Sequence, residues 1–158
     1  MPNSFLQLPD LPSAGAEDKG WFPVKNVSLS VANEVGKFQS GKPRSIGYSE
    51  HEAVEVKKAL DRASVFLSLA ASDGRVLKTV NLAFNKEEEK EFFLKLELKN
   101  VYVAEIGLDV ADGDDPEETV KFNYEQIVWK VRPKLKSGKF GDWVQGGWNR
   151  MEQKEVTS

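Results

Sequence analysis

One imidazole is available to this chain, His51, set between Glu50 and Glu52. Its charge can change near pH 6.5, and an imidazole serves as general base or metal ligand when partners stand beside it. There is no cysteine and no second histidine to complete a metal site or a nucleophile-base pair, so His51 reads as a surface residue on a strand edge. Carboxylates come next. The run Asp109–Glu118, DVADGDDPEE, is dense enough to suggest calcium. An EF-hand loop needs oxygen ligands at fixed alternate positions, a central glycine and a closing glutamate. Counted from Asp109, the third position is Ala111 and the spacing fails; Asp112-Gly113 and Asp115-Pro116 are turn chemistry. Glycoside hydrolysis needs two carboxylates facing across a cleft, and nothing singles out a pair here, which leaves a hydrolase built on Asp114 and Asp115 as the weakest reading. The pairs Gly36-Lys37 and Gly41-Lys42 lack the spacing and following hydroxyl of a phosphate loop, and no Gly-x-Ser-x-Gly elbow exists. The expectation is no catalytic residue, no metal site and no cofactor.

The elements that would have to position such residues are mostly strands. Val120, Phe122 and Tyr124 fall on even numbers, then the apolar set moves to Ile127, Trp129 and Val131. Alternate side chains of a strand point to opposite faces, so this slip swaps the buried face and places a bulge or bend near Glu125–Gln126. Strand patterns also cover Asn3–Leu8, Trp21–Val31, Glu52–Leu60 with Val54 and Val56 on one face, and the stretch around Val80, Leu82 and Phe84. From Phe92 to Val110 the parity shifts twice, at Leu98 to Val101 and again before Ile106, Leu108 and Val110. One short helix is expected, capped by Ser64 or Asp61, with Phe66, Leu69 and Ala70 as its apolar face and Gly74 ending it. Phe92, Phe93, Tyr124 and Trp129 are expected to fill the core. Gly36–Ser49 has three glycines, a proline and no period, and reads as a long exposed loop. These signals leave a β-sandwich and a β-barrel open, each with a helix packed on it.

At 158 residues the chain reads as one domain, 1–158, with residues 36–49 as its long loop and 134–158 as a polar C-terminal segment. A net charge of -3, from 22 basic and 25 acidic groups, gives no electrostatic reason to expect nucleic acid. No apolar run approaches the roughly 20 residues needed to span a bilayer, so no membrane insertion is expected. The first twenty residues lack the pattern of a secretory signal.

The blocks in order carry more than any motif: NSFLQLPD, KGWFPV into VSLSV, a glycine-containing loop, VKKALDRAS with a small helix, VLKTVNLAF, EFFLKLELKNVYV, the long strand ending at Val131, and Gly146-Gly147-Trp148. This set resembles the haemolysin-coregulated protein (Hcp) family, the inner-tube component of bacterial type VI secretion systems, from about Asn3 to Trp148. The chain departs from the family pattern at Val31-Ala32, at Val65 and in the loop 36–49. The resemblance implies a mainly β fold, two packed antiparallel sheets closing into a β-barrel with one short α-helix outside. It implies a structural, non-enzymatic subunit whose hexameric rings stack into a hollow tube. The partners it implies are other copies of the chain, a spike protein, a contractile sheath, a baseplate and effectors in the lumen. It also implies a start in the bacterial cytoplasm and export without a signal peptide. Lys42, Arg44 and Tyr48 of the long loop are the expected ring-stacking residues. The competing reading is a monomeric barrel or sandwich that binds a small ligand or carbohydrate.

Overall fold

The computed structural model describes residues 3–11, 20–35, 46–86 and 91–157. Eleven strands and one helix follow in chain order among them: β1 Ser4–Gln7, β2 Trp21–Val24, β3 Asn26–Ser28, β4 Val31–Val35, β5 Ile46–His51, β6 Val54–Ala59, α1 Ala63–Asp73, β7 Val76–Asn85, β8 Phe92–Asp109, β9 Glu117–Val131, β10 Val144–Asn149 and β11 Lys154–Val156. The fold is mainly β, antiparallel throughout, with one short helix, as the sequence indicates. In place of two separate sheets, nine strands form one hydrogen-bonded sheet in the order β11-β10-β9-β8-β7-β1-β2, with β6 joining β9 and β3, while β4 and β5 pair apart from it. One edge of β9 explains the difference. Its first part, Glu117–Phe122, pairs β6 and its second part, Gln126–Val131, pairs β10, so a single strand serves both layers.

The parity slip seen in the sequence is a crease that crosses three strands. Buried positions run Leu77 then Val80 in β7, Leu98 then Val101 in β8, and Tyr124 then Ile127 in β9. The pairings Leu77↔Val101↔Tyr124 and Val80↔Leu98↔Ile127 put these switches at one level, so the strands exchange faces together and keep their mutual register. Asn100 sits on the crease with φ 51° and donates from Nδ2 to Glu125 at 2.8 Å. The second shift in β8 is a separate bulge, a register change between Val103 and Glu105. A third irregularity, at Phe84/Asn85 opposite Phe92–Leu94, accompanies a departure from expectation: Phe92 joins Phe5 and Trp21, at 5.9 and 5.3 Å between rings, and is not part of the buried core.

The pairing does not run round as an unbroken ring of strands, so the expected barrel closure is not seen in that form. Instead the far ends of the sheet meet through one kinked segment: β2 pairs β1, β3 pairs β6, and the N–H of Lys25 between them donates to Lys57 O at 2.8 Å. Both ends share one core. Phe22 and Val24 of β2, Val54 and Val56 of β6, Leu82 of β7, Leu98 of β8 and Phe122 of β9 belong to the same buried cluster. Each fully buried side chain of this kind stabilises by about 1.5–3 kcal/mol against exposure.

α1 docks on this sheet through Ala63, Ser64, Leu67 and Ala70. Leu69, expected on the apolar face, is half exposed, because a short helix seated by Leu67 and Ala70 turns position 69 outward. The start of the helix is fixed by Asp61 and Ser64 together. Asp61 Oδ1 accepts the N–H of Ala63 at 2.9 Å and Ser64 Oγ accepts the N–H of Asp61 at 3.0 Å. Gly74 ends it in the left-handed conformation, φ 70°, with its N–H on Ala70 O at 3.0 Å.

Candidate functional site

Where β6 hands over to α1, four polar side chains meet inside the protein. Lys58 is wholly buried and Glu118 nearly so. They are direct cross-strand partners in the β6/β9 pairing and form an ion pair. Lys58 Nζ also lies 2.9 Å from Asp61 Oδ1 and donates to Ser64 Oγ at 3.2 Å, and Ser64 donates to Glu118 Oε1 at 3.0 Å. A sequence signal for this pair existed. Lys58 continues the inward positions Val54 and Val56, and Glu118 precedes the inward positions Val120 and Phe122, so both charges stand where alternation demands apolar residues. Two such charges persist inside a sheet only because each supplies the other's counter-charge and hydrogen bonds. The arrangement fixes the strand-helix junction; nucleophilic chemistry would need an accessible, unsaturated group, and every member here is engaged.

Above the cluster lies a groove of about 380 Å³ between α1 and β8, lined by Leu60, Val65, Leu69, Ile106 and Leu108, with Ser64 and Glu118 also facing it. Leu60, Val65, Leu69 and Leu108 are exposed, which is unusual for aliphatic side chains grouped in one place. β7 pairs β8 only as far as Tyr102, so among the described residues no strand covers that edge of β8 from Val103 to Asp109. An open strand edge beside an apolar groove is a template for another polypeptide.

A second surface lies at the other end of β8 and β9. Arg132 stacks between Phe140 and Trp143 at 4.3 and 4.7 Å, donates from Nε to Phe92 O at 2.7 Å, and stands near Lys95, which covers Trp143 at 5.3 Å. Val144 and Leu135 are exposed beside it.

The long loop of the sequence reading is shorter than expected. Residues 46–49 are strand, part of β5, which pairs β4 from Val31↔His51 to Val35↔Ile46, because the alternation is masked by glycine and serine. Tyr48 lies on β5; Lys42 and Arg44 fall outside the described residues. His51 is a correction. It is buried, with Nδ1 2.9 Å from the Tyr124 hydroxyl, because the hairpin folds its last residue against β9. Burial chiefly, and the Arg150 guanidinium secondarily, hold its pKa below the ordinary 6.5. Burial likewise pushes the Tyr124 phenol up to about 12. In the acidic run, Asp109, Asp112, Asp114 and Asp115 are exposed while Glu118 belongs to the buried cluster. Among the described residues, no group of three or more His, Cys, Asp or Glu is placed to hold a metal ion.

The sequence model of the family described as "Type VI secretion system effector, Hcp" matches residues 12–131. A solved type six secretion system protein superposes with TM-score 0.88 at 25% identity, over 99% of this chain and 100% of that one. Hcp1 from Salmonella typhimurium gives 0.76 at 18% identity over 98% of each chain. A type VI secretion system effector from Yersinia pestis gives 0.70 at 14% identity, over 93% of this chain and 99% of that one. No curated protein matches the sequence.

Proposed function

The chain belongs to the Hcp family of type VI secretion proteins, and from that premise we propose that it is a tube subunit: copies close into hexameric rings, and the rings stack head-to-tail into a hollow tube. The family is one of structural secretion-tube proteins, not of enzymes. The observation that supports the reading most is the family match to residues 12–131 together with a structural likeness over the full length of both chains. In this account a contractile sheath drives the tube, behind a spike protein and from a baseplate, out of the bacterial cytoplasm, and effectors travel in its lumen. No described helix is long and apolar enough to cross a membrane.

Head-to-tail stacking needs two complementary faces on each copy. We assign the open edge of β8 and the apolar groove beside it to contact between neighbouring copies in a ring. Burying that edge satisfies its free backbone groups and removes an aggregation template. The β4–β5 arm, with Lys42, Arg44 and Tyr48, is assigned to contact between rings. Negative-stain electron microscopy of the purified chain tests the proposal. Six-fold rings are expected, with short tubes at high concentration; single small particles at every concentration contradict it.

A further inference from the structure

The β4–β5 hairpin pairs with itself and stands apart from the nine-stranded sheet. His51 is its last residue and pairs with Val31, its first, so both ends of the arm meet at this side chain. As a residue His51 is 7% exposed. Its Nδ1 lies 2.9 Å from the Tyr124 hydroxyl of β9, its ring stands edge-on to Tyr124 at 5.9 Å, and it lies tilted 31° to Trp129 at 6.3 Å. The phenol stays protonated across the physiological range, so beside the neutral ring it can donate to Nδ1 or accept from it, according to the tautomer.

Protonation puts a hydrogen on both ring nitrogens, so the phenol can then only accept from Nδ1, and it places a charge where the ring is shielded from water. It also places a cation beside another. The Arg150 guanidinium lies 5.1 Å from the Tyr124 ring centre, and its Nη1 donates to Tyr124 O at 2.9 Å. Among the described residues, no carboxylate pairs with the ring. Glu125 of β9 accepts from Asn100, and Glu50 and Glu52, which flank His51 in the chain, are exposed to water. We propose that His51 is a latch: neutral, it holds the β4–β5 arm against β9; protonated, it releases the arm while the nine-stranded sheet stays folded.

The sign follows from the lowered pKa. A ring that titrates below 6.5 when docked, and at about 6.5 when free, gives the docked arm its full stability above pH 6.5. That stability is lost as the pH falls from 6.5 through the docked value, with arm opening rising by at most about tenfold per pH unit. The consequence for stacking rests on the assignment of the arm to contact between rings; the latch does not.

The chain has a single histidine, so its imidazole signal in NMR is unambiguous. That signal is followed from about pH 8 to about pH 5, alongside amide hydrogen-exchange protection factors, in the parent chain and in His51→Phe, which keeps a ring and cannot titrate. The latch predicts titration below 6.5, loss of protection in Ile46–His51 on acidification with β8 unchanged, and no such loss in His51→Phe. It is overturned by titration at or above 6.5, by pH-independent protection of β5, by β8 opening together with the arm, or by His51→Phe responding like the parent. If the arm opens as predicted while tubes seen by electron microscopy persist at low pH, the latch stands and the ring-to-ring role of the arm falls.

Discussion

Glu118→Gln removes the charge that balances Lys58 and leaves the shape of the side chain nearly intact. Lys58 is 0% exposed, so it cannot recover solvation without opening the β6/β9 pairing. Asp61 remains as a carboxylate at 2.9 Å, with its side chain 25% exposed. Breaking one side of a buried ion pair costs about 3–5 kcal/mol, and the surviving Asp61 contact selects the lower end, about 3 kcal/mol. At about 2–4 °C per kcal/mol for a domain of this size, the midpoint falls by roughly 6–12 °C. Lys58→Met combined with Glu118→Leu removes both charges and fills the space with apolar atoms, and lands within about 1 kcal/mol of the parent. Urea unfolding at one fixed protein concentration measures both, since assembly shifts apparent stability. A loss under about 0.5 kcal/mol for Glu118→Gln, the range of an ordinary surface change, refutes the argument. So does a double variant that is as unstable as Glu118→Gln or more so.

Three further outcomes are expected. Gly147→Ala brings a Cβ to 2.8 Å from both Ile127 O and Val156 Cγ2, and the first of these is sheet backbone, so thermal unfolding should show a loss of about 1–3 kcal/mol. Leu69→Asp, at a half-exposed position on the groove wall, should leave the unfolding midpoint within a few degrees and lower the mass of the assembled species in sedimentation velocity. Lys42→Ala, Arg44→Ala and Tyr48→Ala together should leave rings intact and shorten or abolish tubes in electron micrographs; tubes of unchanged length refute the assignment of the arm.

Local alternation made much of the fold legible. The face swap after Tyr124 and both parity shifts of β8 could be read from residue types, because period two is a strict consequence of strand geometry. What escaped depended on contacts between distant segments. His51 looks like a surface residue between two glutamates, and only the fold brings Tyr124, 73 positions away, against it. Leu69 has the spacing of a core residue, but an 11-residue helix lying on a curved sheet buries one narrow stripe. β5 was hidden by glycine and serine in a segment whose partner strand, β4, is also short. Lys58 and Glu118 were legible as violations of alternation, and such violations mark where a fold holds charge inside. The assembly surface was the least legible part, since an exposed Leu108 or Val65 gains meaning only when the groove joins them.

The association state of the subunit is the hinge of this account, and multi-angle light scattering behind a sizing column reads it without labels or partners. A species of six times the 17.7 kDa chain mass is the predicted result. A peak that stays at the mass of one chain from the lowest to the highest concentration loaded would contradict it.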